Sequence, residues 1–488
     1  MAAILRVVAA LILGSVFLSD LPARAADAPT ADDLRAAIES GPTLRVDGQL
    51  LRAEVLREFY GSIGFDPVWG ADAGGAARSA LALDALRGAR DHGLLPTHYG
   101  LAALRRRAEP ASLAMAVQRE LLLTDSLLRY AVDVRAGRLR PAAAQPDWGI
   151  APPDREDPIR ELAEAIEAGT LGAWLDGLAP PHEGYARLVA ALRAIHAAAD
   201  RTGKPARAGP PDPRIRQIAV NLERWRWLPR QLESRHLVVN AADATMTVVE
   251  DGKVRLASRV VVGDELHPTP VVRSEVGAIV FNPTWTVPTS IAVDEFLPKL
   301  RANPRFLADN DIAILDRRED PYGLAVDWAA VPTVRFPFRL QQRPGGGNPL
   351  GRMRFATPNR FDVYLHDTPL PELFLRADRA LSHGCVRVER ARDLAALVLA
   401  GQPAGSPDAL TRALAPGATS VVTVARPLPV YLLYWTAFVD DEGHLQLVDD
   451  PYDRDARVAT LLARVPVVAV RPDGPGRTPG PAAGAPRR

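Results

Sequence analysis

The sequence predicts an α+β multidomain fold: a helical first half, then a mostly antiparallel β domain interrupted by a helical insertion. Three features of the apolar patterning predict it. From about Ala31 to Ala199, apolar residues recur at three-and-four spacing, the mark of helices that bury one face. After His236 the period drops to two, with β-branched runs. Between Ala292 and about Thr333 the pattern returns to helix and irregular loop, and an insertion of that size inside a β domain is uncommon unless it has a role of its own.

Residues 1–25 read as an export signal. Arg6 precedes the apolar run VVAALILGSVFL, and residues 22–26 offer a small-x-small cleavage site after Ala25 or Ala26. The run is shorter than the ~20 apolar residues that a membrane-spanning helix needs. Cleavage is the first reading, and an uncleaved anchor, the only membrane contact expected, is the alternative.

The helical unit is expected over 26–200. ADDLRAAIES, QLLRAEVLREFYGSIG, ARSALALDALRGARDHG and AMAVQRELLLTDSLLRYAVDVRAG each carry an apolar stripe, and several stop at glycine. PVWG at 67–70 and GLLPTHYG at 93–100 read as turns with aromatic anchors. His92, His98 and His182 have no carboxylate or cysteine at ligand spacing and read as structural. A linker and connecting helix follow over 201–235. There Trp225 and Trp227 read as a packing strut rather than a sugar-stacking platform.

The β domain is expected over 236–428. HLVVN, TMTVVEDGKVRLASRVVVG and GAIVFNPTWTVP read as a meander with a DG turn at 251–252. The insertion occupies 292–333. RLQQRPGGGNPLGRMRF at 339–355 lacks the Lys-Ser/Thr end of a phosphate loop, which excludes nucleotide binding, and reads as a flexible lip. ERARDLAALVLAG is a helix stopped by Gly401. A closing hairpin and helix are expected over 429–465, with a DEGH turn whose His444 has no evident partner. Residues 466–488 lack apolar patterning and read as a disordered tail.

With 47% hydrophobic and 24% charged residues the composition is that of a globular protein, and the formal charge of +1 argues against nucleic acid as a partner.

The chemistry concentrates between Asp362 and Glu389. Cys385 is the only cysteine, so it has no intrachain disulfide partner and needs a packing reason or a chemical one. Read as one strand, SHGCVRV places His383, Cys385 and Arg387 on one face. FDVYLHD likewise sends Phe361, Val363 and Leu365 to the core and leaves Tyr364 and His366 opposite. If both strands share a sheet, two imidazoles, a thiol and a guanidinium converge. An imidazole that takes the thiol proton makes a nucleophile, and adjacent positive charge favours the thiolate. Gly384 leaves room for a substrate backbone, and the amides around Gly384 and Cys385 are candidates for an oxyanion hole. The competing readings are a buried small hydrophobe and a zinc site. A zinc site lacks a second cysteine, so no metal is expected.

HDTP at 366–369 followed by SHGCVRVE at 382–389 resembles the signature of the L,D-transpeptidase family, cysteine enzymes that cross-link bacterial peptidoglycan. The resemblance implies Cys385 as nucleophile and His366 as proton acceptor and donor, with the backbone carbonyl of Asp367 orienting that ring. His383 would support the sulfur, Gly384 would lie in the oxyanion region, and Arg387, Tyr364 and Ser382 would contact substrate. Asp367 stands where glycine is usual and Arg387 where asparagine is usual, and both departures match the large, scaffold-bearing subgroup. The helical unit then resembles the subgroup's scaffold, and the insertion its substrate cap. The peptidoglycan-binding module usual before a segment such as NLERWRW is missing.

The expected activity is a 3-3 cross-link between tetrapeptide stems, both donor and acceptor, made in the periplasm through a thioester, without cofactor and open to acylation by carbapenems. A carboxypeptidase or amidase with water as acceptor, and a non-catalytic wall-binding scaffold, are the alternatives.

Overall fold

The structure, a computed structural model, describes residues 28–41, 43–70, 72–153, 157–201 and 212–464. The expected export signal over 1–25, the linker residues 202–211 and the tail over 466–488 lie outside the described residues. No helix among the described residues is long and apolar enough to cross a membrane.

The N-terminal unit is built round the helix Leu113–Ala136, which starts where Ser112 Oγ accepts from the Met115 N–H at 3.3 Å and ends at Gly137, φ +83°. Leu121, Leu122, Leu123 and Leu128 of this helix pack on Leu34, Leu56, Phe59 and Trp69. Three acids on it, Glu120, Asp125 and Asp133, are buried and paired, Asp133 with the Tyr99 hydroxyl at 2.8 Å. Glu120 accepts from the Val68 N–H at 2.6 Å and the Tyr60 hydroxyl at 3.1 Å, which pins the PVWG turn. Asp125 accepts from Arg52 Nε at 2.8 Å.

The β domain is a closed ring of eight strands. Around the ring come Met353–Ala356, Leu365–His366, Val386–Val388, Lys253–Gly263, Thr245–Glu250, Arg235–Asn240, Ser420–Leu433 and Val271–Phe281, which pairs back onto Met353–Ala356. Closure leaves no free edge between these strands. Most pairs are antiparallel. Leu365–His366 with Val386–Val388 and Ser420–Leu433 with Arg235–Asn240 are parallel. Val239, Val248, Val260, Ile279, Phe355, Leu365, Val386 and Val388 fill the core, and the helix Ala391–Val398 adds Leu394 and Val398 to it.

Four expectations about organisation change. The N-terminal unit is not purely helical: Leu44–Val46 and Gln49–Leu51 form a hairpin, and Trp148–Gly149 joins the ring beside Val271 and Val272. Nor does the core divide near residue 200, because Tyr185, Leu188 and Leu192 of the helix Glu183–Arg201 pack into the core of the β domain. At the other end, a boundary after 428 would cut the single strand Ser420–Leu433. The two prolines in ARPLP look like a break, but Pro427 sits in a register irregularity between Thr423 and Leu428, where no ladder N–H is needed. The insertion is wider than 292–333, since its separate core runs from Val287 to Leu340, and Leu340–Gln342 pairs with Trp285–Thr286 and Ile312–Ile314. The His444 ring, for which no partner was evident, has its Nδ1 3.7 Å from Asp440 Oδ2, and the backbone N–H of His444 donates to Asp440 Oδ1 at 2.7 Å.

The connecting helix Pro213–Arg226 couples the two halves. Trp227 packs edge-on against Trp148 at 5.0 Å between ring centres, and Trp225 stacks on Trp435 at 4.2 Å. Buried Glu223 accepts from the Leu139 N–H at 2.8 Å and from Arg226 at 3.0 Å, while Arg224 pairs with Asp455 at 2.6 Å.

Candidate active site

SHGCVRV does not form one strand. Ala380–Ser382 and Val386–Val388 are separate strands, and the chain turns between them at Gly384, φ +102°, a conformation that L side chains rarely adopt. The turn is clamped from inside. The Gly384 N–H donates to Ser382 Oγ at 3.1 Å, the Ser382 hydroxyl donates to the Cys385 carbonyl at 2.6 Å, and the Thr269 hydroxyl donates to the Gly384 carbonyl at 2.9 Å. Two expectations are corrected here. Ser382 is 2% exposed, so it shapes the turn and is not free to contact substrate. The Gly384 amide is already occupied, whereas the Cys385 N–H has no acceptor among the described residues.

The parallel pairing of Leu365 with Val386 and His366 with Arg387 decides which side chains meet. It sets Tyr364 beside Cys385, so Tyr364, His366, Cys385 and Arg387 share one face while Leu365, Val386 and Val388 enter the core. On the next strand Arg354 pairs with His366, joins that face, and holds its guanidinium 5.2 Å above the Tyr364 ring. Cys385 is half-buried, with Sγ 4.0 Å from the Asp362 carbonyl, and Tyr364 reaches the thiol through its hydroxyl and its backbone.

His366 is buried, and its Nδ1 lies 2.6 Å from the Asp367 carbonyl, with the Pro349 carbonyl also facing the ring. Burial, reinforced by the Arg387 charge, holds its pKa down at about 3. The ring is therefore neutral at pH 7. With Nδ1–H donating to Asp367, the lone pair is on Nε2. The Asp367 carboxylate accepts from the Arg352 N–H at 2.8 Å, so the aspartate where glycine is usual anchors the residue whose carbonyl orients the ring.

The thiol departs from the expected thiolate. Burial raises the Cys385 pKa above its ordinary value, and Tyr364, Arg387 and Arg354 offset that only in part. At rest the pair is a neutral thiol and a neutral imidazole.

His383 also leaves its expected place. The turn at Gly384 interrupts the alternation, and His383 Nε2 lies 3.0 Å from Glu295 Oε1 while its ring lies tilted against His267 at 4.4 Å. His267 Nδ1 in turn lies 3.0 Å from Asp264 Oδ1. Glu295 belongs to the π-helical turn Ala292–Phe296, so His383 joins the cysteine loop to the insertion. Arg387 has a buried Nε without an acceptor among the described residues.

Sequence reasoning missed Arg354, Asp362, Thr269, His267 and Glu295. Arg354 had a signal, alternating with the apolar Met353 and Phe355. Glu295 had none, because its partner is far away in sequence.

The family model described as the L,D-transpeptidase catalytic domain matches residues 234–410, and one described as a scaffold domain matches residues 54–192. A curated Haemophilus influenzae protein named "Putative L,D-transpeptidase" is 30% identical over 348 residues, which span 70% of this chain and 68% of that protein. Among solved structures, an L,D-transpeptidase from Mycobacterium smegmatis is 14% identical over 41% of this chain and 58% of its own, with a TM-score of 0.20. L,D-transpeptidase 3 from Mycobacterium tuberculosis, in complex with a faropenem-derived adduct, is 16% identical over 41% of this chain and 60% of its own, also at 0.20. The chain thus spans less than two thirds of these solved chains.

Proposed function

Because the chain belongs to the L,D-transpeptidase family, we propose that it forms 3-3 cross-links in peptidoglycan by a two-step acyl transfer through Cys385. Its substrates are peptidoglycan stem peptides and it works as an exported enzyme in the periplasm. The observation that carries this reading is the register of Leu365–His366 against Val386–Val388, which brings a reachable thiol and a neutral, carbonyl-anchored imidazole to one face.

In the first step Cys385 Sγ attacks the carbonyl carbon of the third residue of a tetrapeptide stem while its proton passes to His366 Nε2. The oxyanion accepts from the Cys385 N–H and lies in the field of Arg387. As the tetrahedral intermediate collapses, the C–N bond to the terminal D-alanine breaks, and the imidazolium returns its proton to the departing amine. A thioester remains.

In the second step an amine of another stem's third residue attacks the thioester, loses its proton to His366, and expels the thiolate, which takes that proton back. The Asp367 carbonyl fixes the tautomer of the neutral ring and stabilises the imidazolium in both steps. Arg387 makes the resting ring hard to protonate, so the charged ring forms only while negative charge is developing beside it. The cap, tied to the cysteine loop through Glu295 and His383, excludes water, which competes with the acceptor amine. No step uses a metal or an organic cofactor.

The test is incubation of the purified protein with disaccharide-tetrapeptide and mass analysis of the products. Dimers linked between third residues support transfer. Tripeptide monomers alone would show a hydrolase with the same nucleophile, and unchanged substrate would refute both.

A further inference from the structure

The turn that carries Cys385 is braced by chain that lies past the last strand of the ring, Ser420–Leu433, and takes no part in the mechanism. Tyr452 and Arg454 of that chain close on Thr269, which is fully buried. The Tyr452 hydroxyl donates to the Gly263 carbonyl at 2.7 Å and accepts from the Thr269 N–H at 3.4 Å. Arg454 Nη2 donates to the Thr269 carbonyl at 3.1 Å and pairs with Asp147. The Thr269 hydroxyl in turn accepts from the Gly263 N–H at 2.9 Å and gives its one proton to the Gly384 carbonyl at 2.9 Å. Gly263 leaves no slack in this arrangement. A Cβ on it would lie 2.1 Å from the His267 carbonyl oxygen, 2.7 Å from the Thr269 nitrogen and 3.0 Å from Gly384 Cα.

The brace is also held at its far end. Tyr452 stacks on Tyr434 with ring centres 5.1 Å apart, its N–H donates to the Tyr434 hydroxyl at 3.1 Å, and that hydroxyl is tied to Asp450. The Arg454 guanidinium lies 4.6 Å from the centres of both rings. All of these contacts converge on one peptide group. The Gly384 carbonyl and the Cys385 N–H belong to the same planar trans unit, so a carbonyl pinned towards the buried Thr269 hydroxyl sends the N–H the opposite way, where it has no acceptor among the described residues. A hydrogen bond to that carbonyl also polarises the unit and strengthens its N–H as a donor.

We propose that Tyr452 is a positioning residue for acyl transfer: acting through Thr269, it aims the Cys385 N–H at the oxyanion that forms when the sulfur adds to a carbonyl. The proposal deepens the acyl-transfer reading and rests on it. Its effect is confined to reactions in which an oxyanion forms. Alkylation of the same sulfur forms none, so it reads the thiol and His366 without the brace. Losing an oxyanion donor outright costs about 10²–10³-fold in rate, and a donor kept but misaimed is expected to cost at least about tenfold.

The experiment follows two reactions of the full chain by mass: thioester formation at saturating disaccharide-tetrapeptide in a single turnover, and alkylation of Cys385 by iodoacetamide. The first-order constant for the thioester does not depend on how much of a preparation is folded, which changes only the amplitude. Tyr452→Phe is expected to lower that constant at least about tenfold, with the half-saturating donor concentration and the alkylation rate each within about twofold of wild type. Thr269→Val, which keeps the shape and loses the hydroxyl, is expected to lower it at least as far. The double variant should fall no further than Thr269→Val alone, because both changes act on one peptide. A Tyr452→Phe enzyme that forms the thioester at the wild-type rate, that loses alkylation equally, or whose loss multiplies with that of Thr269→Val would overturn the brace and leave acyl transfer standing. A wild-type enzyme that alkylates yet forms no thioester would overturn the acyl-transfer reading and this one with it.

Discussion

Replacing Gly351 with alanine tests how His366 is held without touching the ring or the sulfur. Gly351 has φ +60°, and a Cβ built on it would lie 2.6 Å from both Cγ and Oδ2 of Asp367 and 2.7 Å from the Thr368 nitrogen. The left-handed backbone costs a non-glycine residue roughly 1–2 kcal/mol. The contact must also push the Asp367 carboxylate off the Arg352 N–H, now at 2.8 Å, and a hydrogen bond to a charged group is worth about 1.5–3 kcal/mol. Together these cost on the order of 2–5 kcal/mol, a burden that a β domain with this core can carry. The strain falls on the residue whose carbonyl receives His366 Nδ1 at 2.6 Å. A misplacement near 1 Å in such a constellation costs about a hundredfold in rate. The assay is the rate of Cys385 acylation by a carbapenem, followed by mass, with the melting temperature measured alongside. Gly351→Ala is expected to stay folded, melt several degrees lower and acylate about a hundredfold more slowly. A variant that melts lower but acylates at the wild-type rate would show that the Asp367 carbonyl does not position the base.

Further outcomes follow from the same geometry. Cys385→Ser should abolish cross-linking with little change in melting temperature, and cross-links formed by that variant would remove the nucleophile assignment. His366→Ala should slow acylation by at least about a hundredfold, since general-base catalysis contributes roughly 10²–10⁴-fold; an unchanged rate would move the base elsewhere. With His366 held at about 3 by burial and Arg387, acylation should stay level from neutral pH well into acid and fall only as the ring takes its proton. A fall centred near pH 6.5 would contradict the buried neutral ring. The same depression has a stability consequence. Unfolding lets the ring charge near 6.5, so its contribution is complete above that pH and is lost as pH falls towards about 3, by a few kcal/mol. Chemical denaturation of wild type and His366→Gln across that window would show it as a difference in slope. Glu295→Ala should loosen the cap from the cysteine loop and raise hydrolysis relative to transfer, and an unaltered ratio would count against a water-excluding cap.

The site was legible where chemistry follows strand alternation. Tyr364, His366, Cys385 and Arg387 share a face because side chains alternate across short paired strands, and the apolar partners Leu365, Val386 and Val388 show the same period in the sequence. What alternation could not anticipate is Gly384 at φ +102°, which turns His383 out of the row towards Glu295. Burial was equally illegible: adjacent positive charge argues for a thiolate, but the depth of the sulfur raises its pKa further than Arg387 and Arg354 lower it. At the level of the fold, the change of period marked the helical and β halves. What the period did not mark is that Trp148 and the helix Glu183–Arg201 add to the core of the β domain from well upstream, contacts with no local signal. At the other end, a register irregularity between Thr423 and Leu428 lets one long strand run through the expected boundary after 428.

In the proposed reaction Cys385 carries the acyl group during transfer. Intact-mass and peptide-level mass spectrometry of the enzyme quenched during turnover of a tetrapeptide donor tests it most directly. The expected result is an adduct of the donor minus its terminal D-alanine, mapped to the Cys385 peptide and absent from Cys385→Ser. Turnover with an unmodified Cys385, or an adduct on another residue, would contradict it.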